Sequence, residues 1–305
     1  MSTSRIVVVG SLMLDLVVRA PRLPLIGESL LAHDVTMFVG GKGGNQALAA
    51  ARLGADSVRM VGRVGTDEFG DRILRALEHW GVDCQFVRHD AEAGTGMAIP
   101  IVLDDGANSI ISIPQANFAM TLDDIEAARD VLTTADMLLV QSEVAMDAAH
   151  AAMRVARAAG VLVMFNAAPV TALPAGMLAA ADYLVVNEVE ADALCSAATN
   201  DRVAQAQALR ALVPNVVITL GEQGAVIANE ATAERISTFA VCAVDSVGAG
   251  DAFCGALAIA LCEGQPLLSA VQFANAAGAL SVTRRGAAAS LPMRDEVQRL
   301  MDLTA

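Results

Sequence analysis

The stretch Asp245-Ser246-Val247-Gly248-Ala249-Gly250-Asp251-Ala252-Phe253-Cys254-Gly255 decides how this chain is read. Three small residues stand directly before an aspartate, and an apolar segment follows. Gly248, Ala249 and Gly250 carry almost no side chain, so their backbone N–H groups can approach a ligand. Asp251 falls in the first turn of a helix predicted over Ala252–Leu261. A helix N-terminus offers unpaired N–H donors and a partial positive charge, which together suit an anion. A carboxylate there is either a helix cap or a base held beside a phosphate, and this stretch alone leaves both open.

A second cluster lies upstream. Gly40-Gly41-Lys42-Gly43-Gly44-Asn45-Gln46 places four glycines in five positions around one cation. An Ala-rich helix is predicted after it, over Ala47–Leu53, closed by Gly54. Such a cluster again reads as backbone brought close to a ligand. The two clusters, in this order, resemble the two signatures of the ribokinase family of carbohydrate kinases (the PfkB superfamily).

Bulk properties fit that resemblance. A chain of 305 residues makes one large α/β domain or two smaller ones. Its hydrophobic fraction of 55% comes mostly from Ala, Val and Leu, with Trp80 and Tyr183 the only residues of their types. So aliphatic a core suits a parallel sheet buried on both faces. The net charge of −14 argues against nucleic acid or an anionic membrane as partner. An ATP-using enzyme with such a surface must bring local cations and Mg²⁺ to the phosphates. The cysteines at 84, 195, 242, 254 and 262 show no metal-ligand spacing and read as reduced core thiols of a cytoplasmic protein. Met1–Ser4 leads straight into a strand, so no signal peptide is expected. Residues 264–283 carry no charge, but Gln265, Pro266, Ser269, Gln272 and Asn275 interrupt them, which predicts a buried helix and not a membrane span.

Short apolar runs at Ile6–Val9, Val58–Val61, Met137–Val140, Val161–Phe165, Tyr183–Val186 and Val216–Leu220 predict buried strands. Helical stretches lie between them: Ala47–Leu53, Glu68–Trp80, Leu122–Leu132, Met146–Ala159, Glu188–Leu194 and Val203–Leu212. The alternation predicts an α/β fold, a doubly wound, mostly parallel sheet flanked by helices. Leu16–Phe38, with Pro21, Pro24 and Gly27, and Gly94–Ile113, around the turn Asp104-Asp105-Gly106, break the rhythm and read as β-hairpins. The resemblance makes these a small β-sheet lid over the sugar. With no linker or repeat, residues 1–305 are expected to form a single domain. Lids often pair in the family, which implies a homodimer through the lid.

Phosphoryl transfer to an alcohol asks for a positioned hydroxyl, a base, and donors or metal to absorb charge. Asp251 can be the base, and the amides of Val247 to Gly250 can form the anion hole. The resemblance assigns further roles. Gly10-Ser11-Leu12-Met13-Leu14-Asp15 matches the first strand and the following turn, where Asp15 would hold sugar hydroxyls. Gly41, Lys42 and Asn45 would line the sugar pocket, and Glu143 would face it. Asn187-Glu188-Val189-Glu190 looks like the family's Asn-x-x-Glu motif, with Asn187 near the nucleotide phosphates and Glu190 holding Mg²⁺ through water. A capped helix start explains the same residues. Thr219, Gly221 and Gly224 fall in the segment beside ATP, and Asn275 in a helix beside the adenine. A K⁺ site is implied at Asp245, Val247, Val282, Arg285, Ala287 and Ser290, mostly through backbone carbonyls.

One departure bears on the sugar. Ribokinases proper carry an asparagine two residues before the sugar-binding aspartate, and this chain has Met13. Methionine cannot donate a hydrogen bond, whereas a methylene at C2 suits its polarizable side chain. In this it is similar to the deoxyribokinase branch. Alternatively, Met13 packs and another group serves O2. The expected activity is ATP-dependent phosphorylation of O5 of ribose or 2-deoxyribose. A hexose or nucleoside acceptor, or a non-catalytic sugar or nucleotide sensor, are the alternatives. Only Phe38, Phe118 and a few other aromatics could stack a nucleoside base. A nicotinamide-dependent dehydrogenase is excluded, since no G-x-G-x-x-G follows the first strand.

Overall fold

The computed structural model describes residues 3–105, 107–195 and 199–303. Thirteen strands follow one another along these residues: β1 Arg5–Val9, β2 Met13–Ala20, β3 Asp34–Gly40, β4 Ser57–Gly65, β5 Val82–Asp90, β6 Gly96–Leu103, β7 Asn108–Ile113, β8 Met137–Gln141, β9 Leu162–Asn166, β10 Tyr183–Asn187, β11 Asn215–Thr219, β12 Ala225–Ala228 and β13 Ala233–Ile236. The helices are α1 Lys42–Arg52, α2 Glu68–His79, α3 Leu122–Ala127, α4 Arg129–Thr134, α5 Met146–Ala158, α6 Glu188–Leu194, α7 Arg202–Leu209, α8 Ala249–Cys262, α9 Leu267–Ser281, α10 Ala287–Ser290 and α11 Arg294–Asp302.

Nine strands form the large sheet, in the order β13-β12-β11-β10-β9-β8-β1-β4-β5. It is parallel from β11 to β5 and antiparallel at β12 and β13. Both faces are buried, as the aliphatic runs require. In β1, Ile6 and Val8 point into a core shared with α1, α2, α8, α9 and α11. Val7 and Val9 point into the opposite core, shared with α3 to α7.

From β1 the chain builds outward to β4 and β5 on one side, and from β8 onward on the other. This reversal makes a topological switch point between β1 and β8, and ligands of such sheets bind at the carboxyl ends of the strands there.

A second sheet has the order β3-β2-β6-β7. It joins the two predicted hairpins by a parallel pairing of β2 with β6. Of the predicted turn Asp104-Asp105-Gly106, Gly106 lies outside the described residues. The sheet starts at Met13, not Leu16. Asp15 therefore stands on a strand rather than in a turn, on the same face as Met13.

Several expectations are corrected. Helix α1 begins at Lys42 and not at Ala47, so Gly43 and Gly44 lie inside it. A Cβ on Gly43 would sit 2.6 Å from the Gly10 carbonyl carbon and the Ser11 nitrogen. Gly43 thereby brings the helix against the end of β1. The single helix predicted at Leu122–Leu132 breaks at Ala128, whose N–H is shared between the carbonyls of Asp124 and Ile125, both at 3.2 Å. All five cysteines are free, but only Cys84 and Cys254 are buried, and Cys242 is exposed. The uncharged stretch forms α9, largely buried. No helix among the described residues is long and apolar enough to cross a membrane.

Candidate active site

The site is assembled at the switch point. The Glu143 carboxylate, just past β8, accepts hydrogen bonds from Ser11 Oγ at 2.5 Å and from the Lys42 amide at 3.0 Å. The Gly44 amide donates to the Ser11 carbonyl at 2.9 Å. These contacts seat the N-terminus of α1 on the end of β1. Further along, α1 crosses α8 so closely that a Cβ on Gly255 would lie 2.5 Å from that of Ala49. The crossing carries Asn45 and Gln46 to Asp251.

Asp251 is in the first turn of α8, behind Gly248, whose φ of 82° is costly for any residue with a Cβ. Its Oδ2 accepts from Asn45 Nδ2 at 2.9 Å and its Oδ1 from Gln46 Nε2 at 3.1 Å. Burial pushes its pKa up; the Lys42 ammonium and these two amides pull against that. At the start of α8, Ala249 N–H bonds the Ser246 carbonyl and Ala252 N–H that of Gly248. Of the four amides expected in the anion hole, that of Val247 is engaged by Asp245 and that of Ala249 by Ser246, while those of Gly248 and Gly250, joined by that of Asp251, remain for an anion.

Lys42 is the only lysine of the chain. Burial works against its charge, but Asp251, Glu143 and Glu190 outweigh burial and hold its pKa above the usual lysine range. It lines a narrow cavity of about 70 Å³ together with Asn187, Glu190, Thr219, Gly250 and Asp251. Asn187 and Glu190 also form the capping box: Asn187 Oδ1 accepts from the Glu190 amide at 2.9 Å, and Glu190 Oε2 from the Asn187 amide at 2.8 Å. Capping and a place in the cavity thus coexist in the same residues.

Beyond this neck opens a cleft of about 660 Å³. Thr219, Gly221 and Gly224 line one side, Asn275 and Gly278 of α9 another, and Ala249 and Gly250 its inner end. Asn275 is buried, not a surface residue: its Nδ2 donates to the Ser237 carbonyl at 3.2 Å. The wall at Thr238, Phe239, Ala240, Val241 and Ala243 had no signal in the sequence beyond its small, apolar character.

On the other side of Asp251 lie Met13 and Asp15. Asp15 faces Phe38 across the strand pair, and Met13 faces Gly40. A Cβ on Gly40 would come within 2.3 Å of the Asp15 carboxylate, so only glycine lets that side chain stand there. Burial, then Glu143 and Asp251, push Asp15 up to about 7.

The loops proposed for K⁺ meet directly. Asp245 accepts from the amides of Val247 at 3.0 Å and Gly286 at 2.9 Å. The Val282 carbonyl takes the amides of Val244 and Asp245. Ser290 Oγ is engaged with Ser281 Oγ and the Ala287 carbonyl, both at 2.8 Å. Each Asp245 oxygen takes one amide and keeps a lone pair, Ser290 Oγ is engaged on both sides, and Arg285 is exposed. A cation here would rest on backbone carbonyls and the Asp245 carboxylate. Phe38 packs on Gly286, where a Cβ would meet its ring at 2.8 Å, and Phe118 is exposed.

The chain matches the pfkB family carbohydrate kinase profile over residues 3–294. It belongs to this family. It is a carbohydrate kinase of the ribokinase type, a phosphotransferase with an alcohol as acceptor. It is 36% identical to a ribokinase from Staphylococcus aureus, over 98% of this chain and 100% of that one. A deoxyribokinase from Salmonella typhi is 32% identical, over 98% and 99%. The structure of an Arabidopsis thaliana ribokinase complexed with ribose and ATP superposes with a TM-score of 0.89 at 32% identity, covering 98% of this chain and 99% of that one.

Two carboxylates line the narrow cavity, Glu190 and Asp251. Asp251 has an amide donor on each oxygen, so Glu190 is the one that fits a Mg²⁺ arriving on the nucleotide phosphates, since Mg²⁺ keeps most of its waters and takes few protein ligands. Four residues of the site escaped the sequence reading. Asn117 clamps Leu12, accepting from its amide at 2.8 Å and donating to its carbonyl at 3.0 Å. Gln46, Gln141 and Asn166 form a buried amide chain behind Asp251. They come from separate elements, and side-chain amides have no spacing pattern to find.

Proposed function

We propose that this kinase moves the γ-phosphoryl group of ATP to O5 of a pentose, ribose or 2-deoxyribose, with Asp251 accepting the hydroxyl proton. The observation that carries this is the place of Asp251: with Lys42 it lines the narrow cavity that shares Thr219 and Gly250 with the larger cleft, and its charge is felt at Asp15. The sugar lies against Met13, Asp15, Gly41, Lys42, Asn45 and Glu143. Two neighbouring hydroxyls suit the carboxylate of Asp15. ATP fills the cleft at Thr219, Gly221, Gly224 and Asn275, with its phosphates towards Asn187. The amides of Gly248, Gly250 and Asp251, with Lys42, take up charge on the moving phosphoryl group, and Ala249 keeps that turn free of bulk. Mg²⁺ is held through water by Glu190. K⁺ on the backbone of Asp245, Val247, Val282, Arg285, Ala287 and Ser290, and on the Asp245 carboxylate, braces the anion hole. A carboxylate is too weak a base to ionise a free alcohol, but it suffices where the proton leaves late in a loose transition state. Product analysis with ATP-Mg²⁺ and candidate sugars tests the reading.

A carboxyl that titrates near 7 makes sugar binding depend on pH. Asp15 is mostly neutral at pH 6 and mostly ionised at pH 8, and the ionised form accepts charge-assisted hydrogen bonds from two hydroxyls through both oxygens. The KM for sugar should therefore fall about tenfold from pH 6 to pH 8, and Asp15→Asn should flatten that dependence. A KM unchanged over this range in wild type removes the ionised carboxylate from sugar binding.

The chain is one domain in which the small sheet is a lid, paired with that of a second copy. Val35 is 60% exposed on β3, and Ile110 and Ile111 are 58% and 53% exposed on β7. Consecutive residues of a strand point to opposite faces, so both faces of the lid present apolar surface. Sedimentation at micromolar concentration should show a dimer that Ile111→Asp dissociates; a wild-type monomer would refute the pairing.

A further inference from the structure

Both oxygens of Asp251 accept from side-chain amides of α1, but what stands behind those two amides differs. Asn45 Oδ1 is buried with no hydrogen-bond partner among the described residues. Gln46 is held from behind. Gln141 Nε2 donates to Gln46 Oε1 at 2.7 Å. Gln46 Nε2 is shared between Asp251 Oδ1 and Asn166 Oδ1, both at 3.1 Å. Asn166 Nδ2 in turn donates to the Val185 carbonyl at 3.0 Å.

An amide donates at one end and accepts at the other, so such a chain has a direction. The Val185 carbonyl, fixed in β10, can only accept. It makes Asn166 show its nitrogen to the sheet and its oxygen to Gln46. Gln46 must then turn its nitrogen to Asn166 and Asp251, and Gln141 supplies the donor for its oxygen. Gln46 and Gln141 are fully buried, so no solvent competes. Gln141 Oε1, like Asn45 Oδ1, is buried with no partner among the described residues, so the chain ends at Gln141, and the bonds that do reach Gln46 have no water to replace them.

We infer that Gln46 is a positioning residue for Asp251, its polarity set by Gln141 and Asn166, and that it holds the carboxylate in one rotation and in its ionised form. This rests on Asp251 being the base. Burial alone favours the neutral carboxyl, and donors aimed at the oxygens favour the anion. Without Gln46, Oδ1 loses its donor and the side chain can turn about its last bond. A more readily protonated base is the consequence.

The test reads the single-turnover rate of phosphoryl transfer against pH, with sugar and ATP-Mg²⁺ saturating, so that titration of Asp15 in the free enzyme drops out. Gln46→Leu should lower the plateau at least tenfold and move the acid limb upward by about one pH unit, while sugar KM changes less than threefold. Gln141→Glu keeps a donor, because a carboxyl buried there stays neutral and its O–H can meet Gln46 Oε1, so its acid limb should stay near that of wild type. Gln141→Met removes the donor at a residue that touches neither Asp251 nor sugar. Gln46 is then free to turn its oxygen on Asp251, and the limb should move upward. Equal shifts in both Gln141 variants would mean packing damage and overturn the inference. So would acid limbs that coincide with wild type in Gln46→Leu and Gln141→Met. If Gln46→Leu does not fold, the two Gln141 variants decide alone. The base assignment fails separately: near-normal turnover in Asp251→Asn overturns both, whereas a crippled Asp251→Asn with unmoved acid limbs overturns only the role of Gln46.

Discussion

Asp251→Asn should lower kcat by roughly 10²-fold or more, the range of general-base losses, while fold and sugar KM stay close to wild type. The substitution is nearly isosteric, so the crossing of α1 and α8 at Gly255 and Ala49 is untouched. It exchanges one acceptor for an NH₂ group. Asn45 Nδ2 and Gln46 Nε2 both present donors, so one of the two now meets another donor. Some loss of stability, about 1–3 kcal/mol for an unpaired buried polar group, should accompany the lost rate. A lower melting temperature with near-normal turnover would leave Asp251 as a cap and strut and remove it from the chemistry.

Met13→Asn should swing the ratio of kcat/KM for ribose over 2-deoxyribose toward ribose by roughly fivefold to a hundredfold, the worth of about 1–3 kcal/mol in hydrogen bonding. Met13 is buried at the start of β2, on the same face as Asp15. Gly40 lies opposite it on β3 and Gly96 beside it on β6. The Asp15 carboxylate and the Asn117 amide fill the places that side chains on Gly40 and Gly96 would take. Asn117 Nδ2 is spent on the Leu12 and Pro114 carbonyls, so neither flank offers O2 a side-chain donor, and the thioether suits a C2 methylene. Wild type should accordingly use 2-deoxyribose at least nearly as well as ribose. Asp15→Asn should damage both sugars alike, because it would hold hydroxyls that both share. A wild type that strongly prefers ribose, with a ratio unmoved in Met13→Asn, would make Met13 a packing residue.

The sequence showed most of the large sheet because its inner strands are short aliphatic runs buried on both faces. It hid β5, where Asp83, Gln85, Arg88 and His89 alternate with apolar residues at the edge of the sheet. It hid β12 and β13 because four residues each are too few to show a period. The glycines of Gly40–Gly44 read as a loop, since nothing local says that the Asp15 carboxylate needs the space at Gly40, or the Gly10–Ser11 backbone that at Gly41 and Gly43. The site divides the same way. Lys42, Asp251, Asn187 and Glu190 stand in contiguous stretches whose resemblance could be seen. Gln46, Gln141, Asn166 and Asn117 act only once folding has brought distant elements together, as the separation of Gln46 and Asp251 along the chain shows.

The most direct measurement is to incubate the enzyme with ATP-Mg²⁺ and, separately, ribose, 2-deoxyribose, a hexose and a nucleoside, and to locate the phosphate on each product by phosphorus–proton correlation NMR. Pentose phosphorylated at O5 alone, with 2-deoxyribose turned over at least nearly as well as ribose, is the predicted result. Turnover confined to the hexose or the nucleoside, or pentose phosphorylated at another oxygen, would contradict it.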